Sequence, residues 1–349
     1  MNTLFFIGID VASQSHTAAI YHQKQPFGSP LTFASSDGGF ENFRQWLAAF
    51  GITPQNSVIC LEATGVYSES ITYHLAAHHW RIAVEAPQHV KRGMGKPQKN
   101  DSVDAEQIAE YAFRYHDKLH FWQAPSETLE RIATLLSTRS HCSTQSVAVQ
   151  NMLQALAKKV VRTPSAEAVL NEQHDVLKKQ IKRLDACIKE EIDSDDHFRT
   201  MMTIAQSVPG VGPMLATQLL VFTEGFTKTM HHKQLASYLG ICPHEHQSGT
   251  SVYRNPRSRR SGPGDMRRLL FLSAMSLKRC TTRFSDYYQQ KKAVHKNGHL
   301  ILNNIANKLL KILCAVINSR TEFSVNHVSK RPVAQKKLEP FAKINLAMS

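Results

Sequence analysis

The first 115 residues run through three strand-like stretches and then alternate helix and strand, and this order restricts the fold more than any other feature of the chain. LFFIGIDVA, HTAAIYH and LTFASS are short, rich in β-branched and aromatic residues, and joined by polar connections. GGFENFRQWLAAF, SESITYHLAAHHW and SVDAEQIAEYAFRY have helical periodicity, whereas SVICLEA and RIAVEAP read as strands, the first of the buried type. The order βββαβαβα predicts a mixed sheet flanked by helices over residues 1–125. From 126 to 197, LERIATLLS, VQNMLQALAKKV and VLKKQIKRLDACIKEEI place apolar residues three and four apart. Pro164 interrupts them, which predicts an antiparallel helical hairpin or coiled coil, a spacer and dimerisation arm without chemistry of its own. Residues 198–325 form a polar, Arg-rich and mainly helical domain on which LILNNIANKLLKILCAVIN packs back, and 326–349 form a basic, flexible tail.

Charge is unevenly spread along the 349 residues. Residues 1–90 hold three Lys/Arg against six Asp/Glu, while residues 251–311 hold fourteen Lys/Arg against Asp265 and Asp286 alone. An acidic front and a basic back suit a catalytic module followed by one that grips a polyanion. Pro and Gly interrupt the basic region, which favours nucleic acid over a membrane surface. Six scattered cysteines form no CxxC pair, which argues against a zinc site or a disulfide framework and for a reducing cytosol. The N-terminus lacks a basic n-region and reads as a strand rather than a signal peptide, and no apolar stretch is expected to span a bilayer. A GxxxxGK[ST] phosphate loop is absent, consistent with a reaction that needs no ATP.

Four carboxylates stand out. Asp10 ends the apolar strand FFIGID and Glu62 ends the apolar strand VICLE, positions where a charge is costly unless paired or bound to a cation. Asp101 and Asp104, three residues apart at a helix start, share one face. The bland reading of that pair is capping and a favourable macrodipole. The sharper one sets all four acids around Mg2+ or Mn2+, since hard oxygen ligands suit those ions, and carboxylate-held metals serve in-line displacement at phosphorus. It requires the first and fourth strands to be neighbours.

Two further stretches carry chemistry. TIAQSVPGVGPMLATQLL reads as a helix-hairpin-helix, with Gly210 and Gly212 permitting a tight turn and the next helix offering free amides to a phosphate. An ordinary helix–loop–helix turn is the plain alternative. Residues 235–275 set Ser248, Ser251, Ser258 and Ser261 among arginines. Arginine beside serine can be phosphate grip alone, or one serine can be a nucleophile. Composition and spacing do not choose between the four.

Taken together and in order, GIDVAS, CLEATGVY, KNDSVDAEQIA, SVPGVGPMLA, LASYLGICPHEHQSG, MRRLLFLSA and NKLLKIL make the chain resemble the DEDD-type insertion-sequence transposases. These are bridge-RNA-guided recombinases whose relatives include site-specific DNA invertases, and the similarity runs over roughly residues 4–320. The resemblance implies a RuvC-like, ribonuclease H-fold N-terminal domain, a coiled coil, and a C-terminal transposase domain. It makes Asp10, Glu62, Asp101 and Asp104 the metal ligands and Ser248, followed by Gly249, the nucleophile of a covalent serine–DNA intermediate. It also implies a homo-oligomer in which one subunit's acids and another's serine make a composite site, with DNA chosen by a structured RNA. Lys91, Arg92, Lys96 and Lys99 would lie beside nucleic acid, as would Arg254, Arg257, Arg259, Arg260, Arg267 and Arg268. One departure from the family pattern is SGPGDMRR, where Pro263 replaces an asparagine and Met266 a leucine. Two rivals remain: a RuvC-like junction endonuclease that hydrolyses DNA without a covalent intermediate, and an inactive nucleic-acid-binding scaffold.

Overall fold

The computed structural model describes residues 4–93, 100–227, 231–248, 252–258 and 262–324, with backbone alone for 92, 244–248 and 252–257. The chain divides into two compact units, 1–125 and 126–349.

In the first unit, β1 (Phe5–Val11), β2 (Ser15–His22) and β3 (Gln25–Ala34) form an antiparallel meander. It is followed by α1 (Asp37–Ala49), β4 (Ser57–Glu62), α2 (Val66–Ala77), β5 (Ile82–Glu85), α3 (Pro87–Gly93) and α4 (Asp101–Arg114). The sheet order is β3-β2-β1-β4-β5, with β4 parallel to β1 and β5 parallel to β4. Only β2 runs against its neighbours, which is the mixed ribonuclease H-like arrangement expected from the element order. Strand residues alternate between faces. Ile7, Ile9, Ile59 and Leu61 pack with Phe43, Leu47, Ile71 and Leu75 of α1 and α2. Phe6, Val58, Cys60 and Ala83 meet Val90 of α3 and Ile108, Ala109 and Ala112 of α4 on the other side. The expected element order does not include α3, the short helix whose last residues include Lys91 and Gly93.

The second unit begins with two 30-residue helices, α5 (Glu127–Leu156) and α6 (Pro164–Asp193), with Pro164 in the first turn of α6, where a missing N–H costs nothing. Arg131 Nε reaches Glu191 at 2.9 Å and Arg139 pairs with Asp185, so the helices run antiparallel. Then come α7 (Asp196–Gln206), α8 (Pro213–Phe222) and α9 (His232–Tyr238). A β-hairpin, β6 (Pro243–Ser248) with β7 (Val252–Ser258), is followed by α10 (Gly264–Cys280), α11 (Thr282–Ala293) and α12 (Gly298–Ser319). The base of the long hairpin is rooted in the C-terminal core, where Ile132, Ile188 and Ile192 share a cluster with Leu220, Leu270, Ile305 and Leu309. By length and composition α12 could cross a membrane, contrary to the expectation that no stretch would. Its apolar side, including Ile301, Ile305, Leu309, Leu310 and Leu313, is buried in that core. Pro263 takes the N-cap position of α10 and Met266 is buried, so the departure from the family pattern coincides with an ordinary helix start.

Candidate active site

Phe6, Gly8 and Asp10 share the β1 face covered by α4, because side chains alternate along a strand. Ile9 pairs with Leu61, which brings Asp10 and Glu62 to the ends of adjacent parallel strands on that same face. Gly8 sets how closely α4 can lie. A Cβ there would fall 2.2 Å from the Ala105 carbonyl oxygen and 2.2 Å from the Ala109 nitrogen, so only glycine lets this helix rest directly on β1. The first turn of α4, immediately before Ala105, brings Asp101 and Asp104 within electrostatic reach of Asp10.

Capping does not explain the two aspartates. The N-cap is Asn100, whose side-chain oxygen accepts from the Val103 amide at 2.8 Å. Asp101 and Asp104 occupy the first turn without being the cap, where the helix dipole tolerates them.

The four acids share one field. Burial, then the charges of Asp104, Asp101 and Glu62, push the Asp10 carboxyl up to about 6, against a smaller opposing hydrogen bond from the Val11 backbone. Burial also raises Glu62; Lys91 on α3 opposes this and Asp104 adds to it. Among the described residues, no three His, Cys, Asp or Glu side chains already converge closely enough to hold a single ion. The donor set nevertheless fits a hard divalent cation: carboxylate oxygens, partly buried, and a mutual repulsion that such an ion would relieve.

A fifth acid escaped the sequence reading. Glu85 ends β5 beside Glu62, repeating the pattern of an acid closing an apolar strand that had marked Asp10 and Glu62. Its oxygens are engaged differently. Burial and then the nearby Glu85 charge raise the Tyr111 hydroxyl of α4, and His89 Nδ1 of α3 lies 3.1 Å from Glu85 Oε2. Glu85 thereby ties β5 to α3. Gly8 had no signal beyond being a glycine inside a strand.

In the second unit, Ser248 is the last residue of β6 and pairs with Val252 of β7. Register sets His244 opposite Arg257 and His246 opposite Arg254. Ser258 sits at the hairpin base, its hydroxyl 3.5 Å from the Ile241 carbonyl. The same carbonyl accepts from Asn303 Nδ2 at 2.9 Å and Asn307 Nδ2 at 3.3 Å, which anchors the root of the hairpin to α12. Ser251, Ser261, Lys96, Lys99, Arg259, Arg260 and the tail from 325 lie outside the described residues, as do the side chains of Arg92, Ser248, Arg254 and Arg257.

Gly210 and Gly212 take different parts in the α7–α8 turn. Gly210 has φ +83°, and a Cβ there would lie 2.7 Å from Leu277 Cγ, so it faces α10 and serves packing. Gly212 is exposed at the N-cap of α8, with open space around it and no side-chain cap on the helix amides. Arg267 and Arg268 also diverge. Arg267 Nη1 donates to the carbonyls of Gly262 at 2.7 Å and Leu239 at 3.3 Å, whereas the Arg268 side chain is 62% exposed.

A ribonuclease H-like sheet with coupled acids at the carboxyl ends of β1 and β4 defines a class of nucleic-acid-processing domains in which carboxylates work around divalent cations. Comparison with known proteins gives the family. A family model for DEDD transposases of the IS110 type, described as transposase, matches residues 7–161, and a second, described as transposase IS116/IS110/IS902 family, matches 202–289. The chain belongs to the IS110/IS116/IS902 family of transposases. It is 26% identical over 324 residues to the pilin gene-inverting protein of Moraxella lacunata, covering 91% of this chain and 97% of that one. It is 26% identical over 224 residues to the transposase for insertion sequence element IS1111A of Coxiella burnetii, covering 58% and 60% of the two chains. The chain is therefore an enzyme that acts on DNA, cleaving and rejoining strands, and its family implies the use of a divalent metal.

Proposed function

We propose that this enzyme moves or inverts a DNA element through a metal-dependent site made by Asp10, Glu62, Asp101 and Asp104, with Ser248 as the nucleophile. The observation that carries the reading is the electrostatic coupling of Asp10 to the other three acids across two strands and a helix start. Mg2+, or Mn2+, held there would supply the positive charge that a phosphodiester needs as it is attacked. The remaining steps belong to the chain. The Ser248 oxygen attacks phosphorus, the 3′ oxygen of the neighbouring nucleotide leaves, and the hydroxyl proton passes to water. The serine–DNA phosphodiester keeps the bond energy, so a 3′ hydroxyl can reverse the step on a new partner without ATP.

Support for the serine comes from its place at the end of a hairpin strand among cross-strand His and Arg positions, together with the resemblance stated above. The exposed N-terminus of α8, Arg268 and the basic α10–α12 region supply sequence-independent phosphate contacts. A structured guide RNA and a homo-oligomer complete the reading on the strength of the resemblance alone.

The test is a covalent-adduct assay. Purified protein is incubated with RNA transcribed from its flanking DNA, a plasmid carrying the joined ends of that flanking DNA, and Mg2+, and is then denatured. Protein-linked DNA that disappears in both Ser248→Ala and Asp10→Ala is expected. Cleavage without an adduct, persisting in Ser248→Ala, would sink the serine step and leave RuvC-like hydrolysis by the acids.

A further inference from the structure

We propose that His89, oriented by Glu85, is the proton donor to the 3′ oxygen that leaves when the DNA strand is cut, and the acceptor of that proton when strands are rejoined. The proposal rests on the preceding reading, that the acids of the first unit act on a phosphodiester, and adds a group outside the four.

The geometry is that of an oriented imidazole. Glu85 is the strand neighbour of Glu62, so it stands one strand away from the proposed cluster. Its side chain is 12% exposed, while that of His89 is 60% exposed. The carboxylate is thus mostly shielded and the ring is largely open to solvent. The 3.1 Å contact uses Nδ1, so Nδ1–H donates to Glu85 and Nε2 is turned to the opposite side of the ring. A carboxylate that fixes the tautomer and orientation of a histidine in this way prepares the other nitrogen for proton transfer. Tyr111 of α4, the helix that carries Asp101 and Asp104, lies near the same carboxylate. The four acids offer no comparable donor: as ligands of a cation they are ionised and accept only.

The step balances. The nucleophilic oxygen forms its bond to phosphorus and loses its proton to water. The P–O3′ bond breaks, its electron pair stays on the 3′ oxygen, and the proton comes from Nε2–H of the imidazolium, leaving neutral imidazole. On rejoining, Nε2 takes the proton of the attacking 3′ hydroxyl.

A leaving sulfur needs no such proton, which gives the test. The full-length protein with its flanking RNA is assayed in Mn2+, which accepts both oxygen and sulfur. Two synthetic duplexes spanning the joined ends are used, one natural and one with sulfur replacing the bridging 3′ oxygen at the cleaved position. His89→Ala and His89→Gln are expected to cut the natural duplex roughly 100-fold or more slowly than the unaltered protein, and to cut the sulfur duplex at close to its rate. Glu85→Gln, which weakens the orienting bond, should show a smaller loss with the same rescue. Equal slowing on both duplexes would make His89 a structural or DNA-contact residue, and unchanged rates on both would remove it from the reaction; either outcome overturns the proposal. Asp10→Ala serves as the separate control. Its inactivity on both duplexes is expected, and its activity on either would sink the underlying reading instead.

Discussion

A carboxyl group whose folded-state pKa is raised makes folding less favourable as pH rises, because the folded state holds the proton that the unfolded chain releases. For Asp10 the ordinary value is 3.8 and the folded one about 6, the first cause being burial and the next the charges of Asp104, Asp101 and Glu62. The penalty is therefore absent below about pH 4, grows between the two values and is complete above the upper one. Asp10→Asn removes it. In thermal melts with a chelator, the variant should match the unaltered protein near pH 4 and melt at a higher temperature by pH 7, the gap opening between those limits. Adding Mg2+ at pH 7 should narrow the gap by stabilising only the protein that retains Asp10. A difference in melting temperature that is flat across this range would mean that the acids are not coupled as described. Partial exposure of the group keeps the effect to a modest share of the total stability.

Neighbouring arginines on α10 have separate tasks, and the difference is a property of the element rather than of either residue. Arg267 stitches α10 to the carbonyls of Leu239 and Gly262 on the segments leading out of α9 and into α10 itself. Arg268, next in sequence, extends into solvent near Asp265. Arg267→Ala is expected to destabilise the second unit by roughly 1.5–3 kcal/mol, the range for hydrogen bonds from a charged donor. Arg268→Ala should change stability by less than about 0.5 kcal/mol while lowering DNA affinity and reducing the salt slope by about 1. Denaturant melts and binding titrations at several salt concentrations check both, and equal stability losses would contradict this division. The sequence shows an RR pair and cannot separate the two, because the separation lies in carbonyls reached through the tertiary fold. The strand-end places of Asp10 and Glu62 were legible because a charge closing an apolar run marks its own position, whereas the neighbouring of β1 and β4 that brings them together was a condition only the fold met. The β6–β7 hairpin was not, since PHEHQS and VYRNPRS lack the apolar alternation that announces a strand. Nor was α3, whose seven residues carry too little periodicity to be told from a basic loop. Gly8 was visible as a letter, but its function depends on which helix comes to rest on it.

At the scale of the whole molecule, the proposed chemistry is divided between two units: the acids and His89 lie within 1–125, and the serine hairpin lies within 126–349. Such a division permits either of two assemblies. In one, each chain completes its own site; in the other, the acids of one copy act with the serine of a second. The two predict opposite results when inactive variants are combined. If sites are composite, mixing Asp10→Ala chains with Ser248→Ala chains yields assemblies in which the intact acids of the second meet the intact serine of the first, so strand exchange reappears although neither variant works alone. If each chain is self-sufficient, every site in the mixture still lacks one component, and no ratio restores activity. The reading adopted here, a homo-oligomer with shared sites, expects recovery in co-expressed mixtures to peak near equal amounts. With random pairing half of the dimers are mixed, each with one intact and one doubly defective composite site, so recovery should reach about a quarter of the unaltered activity for a dimer. The measurement is adduct formation and plasmid recombination across a titration of the two variants. Silence at all ratios, with mixed assemblies verified by differently tagged copies, would assign acids and serine to the same chain.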